Sequence, residues 1–126
     1  MNKAFTVLLM FFLHIVDDYV LQKQGALADL KQKSYWEEKA PDKMYRCDYL
    51  CALLAHGFSW AFMVMLPIAI HMSFNVDTSF VQLLLYEAAL HALIDHAKAN
   101  WKLFNLWVDQ LFHVGQIASM AIIFLG

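Results

Sequence analysis

Apolar residues gather into four long runs, separated by one polar stretch and two short connections. Ala4 to Val20 is the first run, and counting on to about Gln22 gives the ~17–25 residues a membrane helix needs. Tyr49 to Met72 is the second, Phe80 to Ala97 the third and Phe104 to Leu125 the fourth. Lys23 to Asp48 is polar, but Leu27, Leu30, Tyr35 and Trp36 within it predict a short helix lying on a membrane surface, with Trp36 at headgroup depth. Ala40-Pro41-Asp42 is a turn signal, and Ser73 to Ser79 is a loop rich in helix-capping residues. Pro67 falls late in the second run, where a kink is tolerated in lipid because neighbours satisfy the freed carbonyl. The pattern predicts an all-α fold. It is an integral membrane four-helix bundle in one domain, residues 1–126, with helices at about 4–22, 49–72, 80–97 and 104–125 and a polar loop at 23–48.

Composition supports the membrane reading. The 126 residues are 61% hydrophobic and 16% charged, against roughly 45–50% and 25% in an average soluble domain. A water-soluble core of this size could not cover so much apolar surface with so few charges. The first run resembles a signal peptide, with Lys3 before an apolar core, but Asp17-Asp18-Tyr19 follows where a small-residue cleavage site would stand. It is read as a retained helix. A formal charge of −2, with no basic stripe outside one loop, excludes a general nucleic-acid footprint. Cys47 and Cys51, four apart, are badly placed for a disulfide on a helix and read as small apolar filler.

Charge distribution sets an expected orientation. Six of the 9 basic residues lie in the first polar stretch (Lys23, Lys31, Lys33, Lys39, Lys43 and Arg46), and Lys98 and Lys102 lie in the second connection. Lys3 is the ninth. The positive-inside rule then predicts a multi-pass protein of the inner membrane, with loops 23–48 and 98–103 cytoplasmic and both termini outside.

Within these apolar runs sit groups that lipid penalises. His14 and Asp18 stand four apart, as do His91 and Asp95, and as do Asp109 and His113 in reverse order. His56 is alone in the second run, sharing a face with Trp60. Residues four apart lie one turn apart on one face. In the predicted topology, at ~1.5 Å per residue, the four histidines fall within about a turn of one another in the cytoplasmic half. The three aspartates form a layer one turn nearer the cytoplasm. Ionisable groups inside a membrane face each other or a wet cavity and are functional by default.

Four histidines with three carboxylates suit a divalent metal, zinc first and manganese or iron next. His14, Asp18, His56, His91, Asp95, Asp109 and His113 are the candidate ligands. They exceed one tetrahedral set, so either two ions bind or some aspartates orient the rings from behind. The expected activity is metal-dependent hydrolysis of a lipid phosphate or acyl ester, with Asp18 or Asp95 as general base. Gln22, Lys98, Asn100 and Lys102, at the cytoplasmic rim, are candidates for holding the substrate phosphate. A proton or ion relay uses the same residue types. A metal-stabilised scaffold without catalysis is the third possibility. The expected partners are membrane lipid and a second copy of the chain. Helices one and three share His-x-x-x-Asp, which suggests two parallel helix-pair repeats.

The motif His14-Ile-Val-Asp-Asp18-Tyr-Val-Leu-Gln22 resembles the opening signature, His-x-x-x-Asp-Phe-x-x-Gln, of a family of small bacterial and phage integral membrane proteins of unassigned activity. Asp48-Tyr49 ahead of His56, His91-x-x-x-Asp95-x-x-Lys98 and Asp109-Gln110-x-x-His113 extend the resemblance over nearly the whole chain. Tyr19 stands where the family has Phe. More distantly, the chain is similar to membrane-embedded metal-dependent hydrolases with His and Asp inside apolar helices.

Overall fold

The structure is a computed structural model that describes residues 1–22 and 27–126; of Leu27 it describes the backbone only. Lys23, first of the six basic residues of the polar stretch, lies outside the described residues. Most of the described residues are helical, with no strand among them. In chain order the helices are α1 (Lys3–Val16), α2 (Leu27–Leu30), α3 (Lys33–Lys39), α4 (Asp48–His71), α5 (Thr78–Ala99) and α6 (Leu106–Leu125).

The ends of the long helices follow from local sequence. Asn2 caps α1 by accepting from the Ala4 and Phe5 amides, Asp77 caps α5 through Phe80 N–H, and Asn105 caps α6 through Val108 N–H. After Val16 the first helix continues as a wider π turn, Asp17–Leu21, and Gln22 N–H reaches five residues back to the Asp17 carbonyl. The wider turn lets two adjacent carboxylates, Asp17 and Asp18, both turn inward, and such turns concentrate at functional positions. α4 stays continuous through Pro67.

Three of the helical segments, Lys3–Leu21, Lys43–His71 and Leu106–Leu125, are long and apolar enough to cross a membrane. α5 is as long but carries Glu87, His91, Asp95 and Lys98. α4 packs against α1, α5 and α6. Its contact with α5 is close at Gly57, where an added Cβ would overlap the Ala88 carbonyl oxygen and press on Ala92. Small residues at that crossing bring the His56 and His91 rings to a centroid separation of 4.9 Å.

The interior has two tiers. One is apolar, built from Met10, Trp60, Val64, Met65, Ile68, Ile117 and Met120, all fully buried. The other holds His14, His56, His91, His113, Asp95 and Asp109, each at most 5% exposed. Outside, side chains such as Leu8, Phe12, Leu54, Leu85, Leu111 and Ile122 are more than half exposed, so the outer faces are rich in large apolar side chains, the kind of surface that marks membrane or protein contact. Cys47 and Cys51 are free thiols on the exposed side, not interior filler.

Candidate metal centre

The four histidines converge. His113 stands 5.5 Å from His14 and 4.2 Å from His91 between ring centroids, so the depth agreement expected from counting residues is realised. Trp60 lies in their midst, stacked on His91 at 4.1 Å.

Asp95 is the hub. His56 Nε2 lies 2.9 Å from its Oδ2, and His113 and His91 Nε2 lie 3.7 and 4.0 Å from its Oδ1. The His56 and His91 Nε2 atoms are 3.0 Å apart, and His56 Nε2 is 3.7 Å from Asp18 Oδ1. Among the described residues, two groups of donor atoms could hold a metal ion: Asp18 with His56 and His91, and His91 with Asp95 and His113. Ligands on a tetrahedral ion at ~2.0–2.1 Å lie about 3.3 Å from each other, inside the range of these separations. His91 belongs to both groups.

Proton accounting favours a cation at this place. A neutral imidazole has one N–H and one lone pair. Gln116 Nε2 donates to Glu87 Oε2 at 2.7 Å, which turns its Oε1 toward His113 Nδ1 at 3.3 Å. His113 Nδ1 therefore carries a proton, and its Nε2 faces two carboxylates, Asp109 Oδ1 at 3.3 Å and Asp95 Oδ1 at 3.7 Å. His56 Nε2 has one hydrogen at most for two acceptors, Asp95 Oδ2 and His91 Nε2. Asp18 Oδ1 is buried with no hydrogen-bond partner among the described residues. With neutral imidazoles, lone pairs outnumber protons here; a divalent ion corrects that imbalance, as does a second proton on His113 between Asp95 and Asp109.

His14 and Asp109 fall outside both groups. Trp60 Nε1–H donates to His14 Nδ1 at 2.7 Å, so the His14 proton sits on Nε2, which faces Gln110 Oε1 at 3.0 Å. Gln110 Nε2 donates in turn to Asp109 Oδ2 at 3.1 Å, and Lys98 Nζ reaches the same oxygen at 2.9 Å. His14 thus forms a buttress behind the ligand groups, while Asp109 Oδ1 lies 3.3 Å from His113 Nε2, at the edge of the second group. The 3.4 Å approach of His14 Nδ1 to Asp18 Oδ2 is no hydrogen bond in this tautomer, since that nitrogen's lone pair is already engaged.

The predicted rim residues separate. Lys98 lines a cavity of about 100 Å³ with Asp18, Asp95, Asp109, His56 and Gln110. Gln22 turns instead to Asp17, 3.4 Å from both carboxylate oxygens. Asn100 accepts from Lys33 N–H at 2.7 Å and donates to the Lys31 carbonyl at 3.0 Å, stapling the polar segment to the end of α5. Lys102 lines a different hollow.

Two groups escape sequence reasoning. Lys31 Nζ reaches Asp95 Oδ2 at 2.8 Å and helps line the 100 Å³ cavity. Asp17, fully buried, accepts from Ser59 Oγ at 2.7 Å. The doubled carboxylate Asp17-Asp18 inside an apolar run was the available signal for the second; nothing in the spacing marks Lys31 among its neighbouring lysines. Comparison of the chain with protein-family models, curated proteins and solved structures finds no match.

Proposed function

We propose that the chain is a multi-pass inner-membrane four-helix bundle whose histidine–aspartate cluster holds a divalent ion, zinc first, and hydrolyses a lipid phosphate or ester. Membership of the His-x-x-x-Asp membrane family, with its two parallel repeats, belongs to the same proposal. Support for α5 as a fourth span comes from burial. Its polar Glu87, His91 and Asp95 point inward, while Val81, Leu85, Tyr86 and Leu93 face out. Average hydropathy undercounts such a helix because its polar side chains never meet lipid. In the orientation the lysines favour, Lys33→Cys is labelled by an impermeant thiol reagent from the cytoplasmic side only; labelling from outside reverses the topology.

The observation that carries the hydrolase reading is the convergence of three imidazole Nε2 atoms on Asp95 beside a polar cavity. Because His91 is common to both ligand groups, a single ion is the simpler occupancy, and in the His91–Asp95–His113 group it would leave Asp18 unligated. When bound, the ion supplies Lewis-acid polarisation of a phosphoryl or carbonyl oxygen. The chain's own groups do the remainder. Asp18, which lines the cavity and whose Oδ1 makes no hydrogen bond among the described residues, is the proton acceptor. Asp95 is already committed to Lys31 and the imidazoles. Lys31 and Lys98 flank the cavity and can draw in an anionic group.

Asp18→Asn tests this directly. The variant keeps most of its metal, held by the His91–Asp95–His113 group, and loses at least about 100-fold in turnover of the lipid phosphate or ester found by screening wild type, the usual scale for a general base. Undiminished turnover removes Asp18 from the chemistry. A metal-loaded wild type inert towards lipids, nucleotides and model esters ends the hydrolase reading and leaves a metal-stabilised scaffold.

One observation favours a proton relay instead: the chain His113–Gln116–Glu87 continues the polar tier away from the cavity. Proton flux in proteoliposomes that falls in Glu87→Gln would favour it.

A further inference from the structure

Behind the Lys31–Lys33 segment, on the side away from the metal centre, lies a second hollow of about 440 Å³. That is within the ~300–1,000 Å³ range of small-molecule sites. Lys33 and Glu37 come from α3, Tyr49 from α4, His96 from the end of α5, and Trp101 and Lys102 from the connection to α6.

Its donors are arranged. Asn100 Oδ1 takes the Lys33 N–H, so Asn100 Nδ2 faces His96 Nδ1 at 2.9 Å. His96 Nδ1 is thereby an acceptor, and the ring proton sits on Nε2. Tyr49 stacks on His96 with centroids 5.7 Å apart, and Trp101 meets it edge-on at 4.6 Å, which holds the imidazole plane. Two lysines complete the set. Glu37 opposes them, but its 3.7 Å pairing with Lys33 joins side chains 65% and 56% exposed and is worth little. Lys102 holds a left-handed backbone, φ 54°, an unfavourable conformation for a lysine that fixes where its side chain leaves the chain.

We propose that this hollow is a recognition site for a phosphate-bearing anion, gripped by Lys33, Lys102 and His96 Nε2–H. The anion is either a free phosphorylated compound or the headgroup of an anionic lipid. By joining α3 to the α5–α6 connection, it would hold the segment that carries Lys31 against Asp95. The proposal stands apart from the hydrolase reading, since it needs neither the metal nor turnover.

The test uses the full chain in a neutral detergent with EDTA present. Inorganic phosphate and, separately, phosphatidylglycerol are titrated, and Trp101 emission is followed, with Trp101→Phe identifying its signal. Saturable binding is expected. It weakens by roughly tenfold for each lysine removed in Lys33→Gln and Lys102→Asn; asparagine suits the left-handed backbone, so the fold is spared. Binding of both probes assigns a free phosphate compound as sufficient, and binding of the lipid alone assigns a headgroup. Absence of binding, or binding unchanged in the double variant, overturns the proposal. Binding that requires metal assigns the anion to the histidine–aspartate cavity and overturns it too.

Discussion

The chain contains His-x-x-x-Asp twice, at His14–Asp18 and at His91–Asp95, and uses the two copies differently. In α5, His91 presents Nε2 to Asp95 and to His56, and its Nδ1 has no partner among the described residues. In α1, His14 has both ring nitrogens occupied by side chains from other helices, Trp60 and Gln110. The aspartates diverge as well. Asp95 gathers Lys31 and three imidazoles, whereas Asp18 lines the cavity with one oxygen that has no hydrogen-bond partner among the described residues. Spacing puts two groups on one face; a third residue, here the indole of Trp60, decides whether the nitrogen is a ligand or a strut.

The aspartates give the largest expected contrast. Asp95→Asn leaves Lys31, whose side chain is 17% exposed, facing a neutral amide. Loss of one partner of a buried pair costs about 3–5 kcal/mol. Asp18→Asn removes no hydrogen bond and should cost under about 1 kcal/mol. Denaturant unfolding of the metal-free protein in detergent separates them, and equal losses would erase the distinction between the two copies.

A smaller effect is expected from Trp60→Phe, which keeps an aromatic ring over His91 but removes the N–H that holds His14 Nδ1. One buried hydrogen bond is worth about 1 kcal/mol. Freed of its donor, His14 becomes able to ligate, so metal affinity should hold steady or rise. A sharp fall would mean that the indole positions His91 and not His14.

Much of the polar tier was legible beforehand because it depends on periodicity and length. Four long apolar runs, with histidines at matched distances from the ends nearest the polar stretch and the second connection, place the rings together whatever the side-chain details. The positions of His56, His91, His113 and Asp95 follow from that counting alone. What resisted sequence reasoning depends on contacts between distant segments. The tautomer of His14 is set by Trp60, 46 residues away. Lys31 reaches Asp95 because Asn100 staples the polar segment back over α5. Asp17 becomes interior because the helix widens to a π turn, which no apolar pattern announces. Asn100 and Lys102 line one hollow and Lys98 another, because the Lys31–Lys33 segment lies between them.

Elemental analysis of purified wild type, His91→Ala and His14→Ala tests the central claim most directly. Wild type should carry about one divalent ion per chain. His91→Ala, which strikes both ligand groups, should carry essentially none and should no longer gain thermal stability from added zinc. His14→Ala should keep most of its metal while losing some stability, because the Trp60 N–H is left unpaired. Wild type without metal, or equal loss from both variants, would contradict the account.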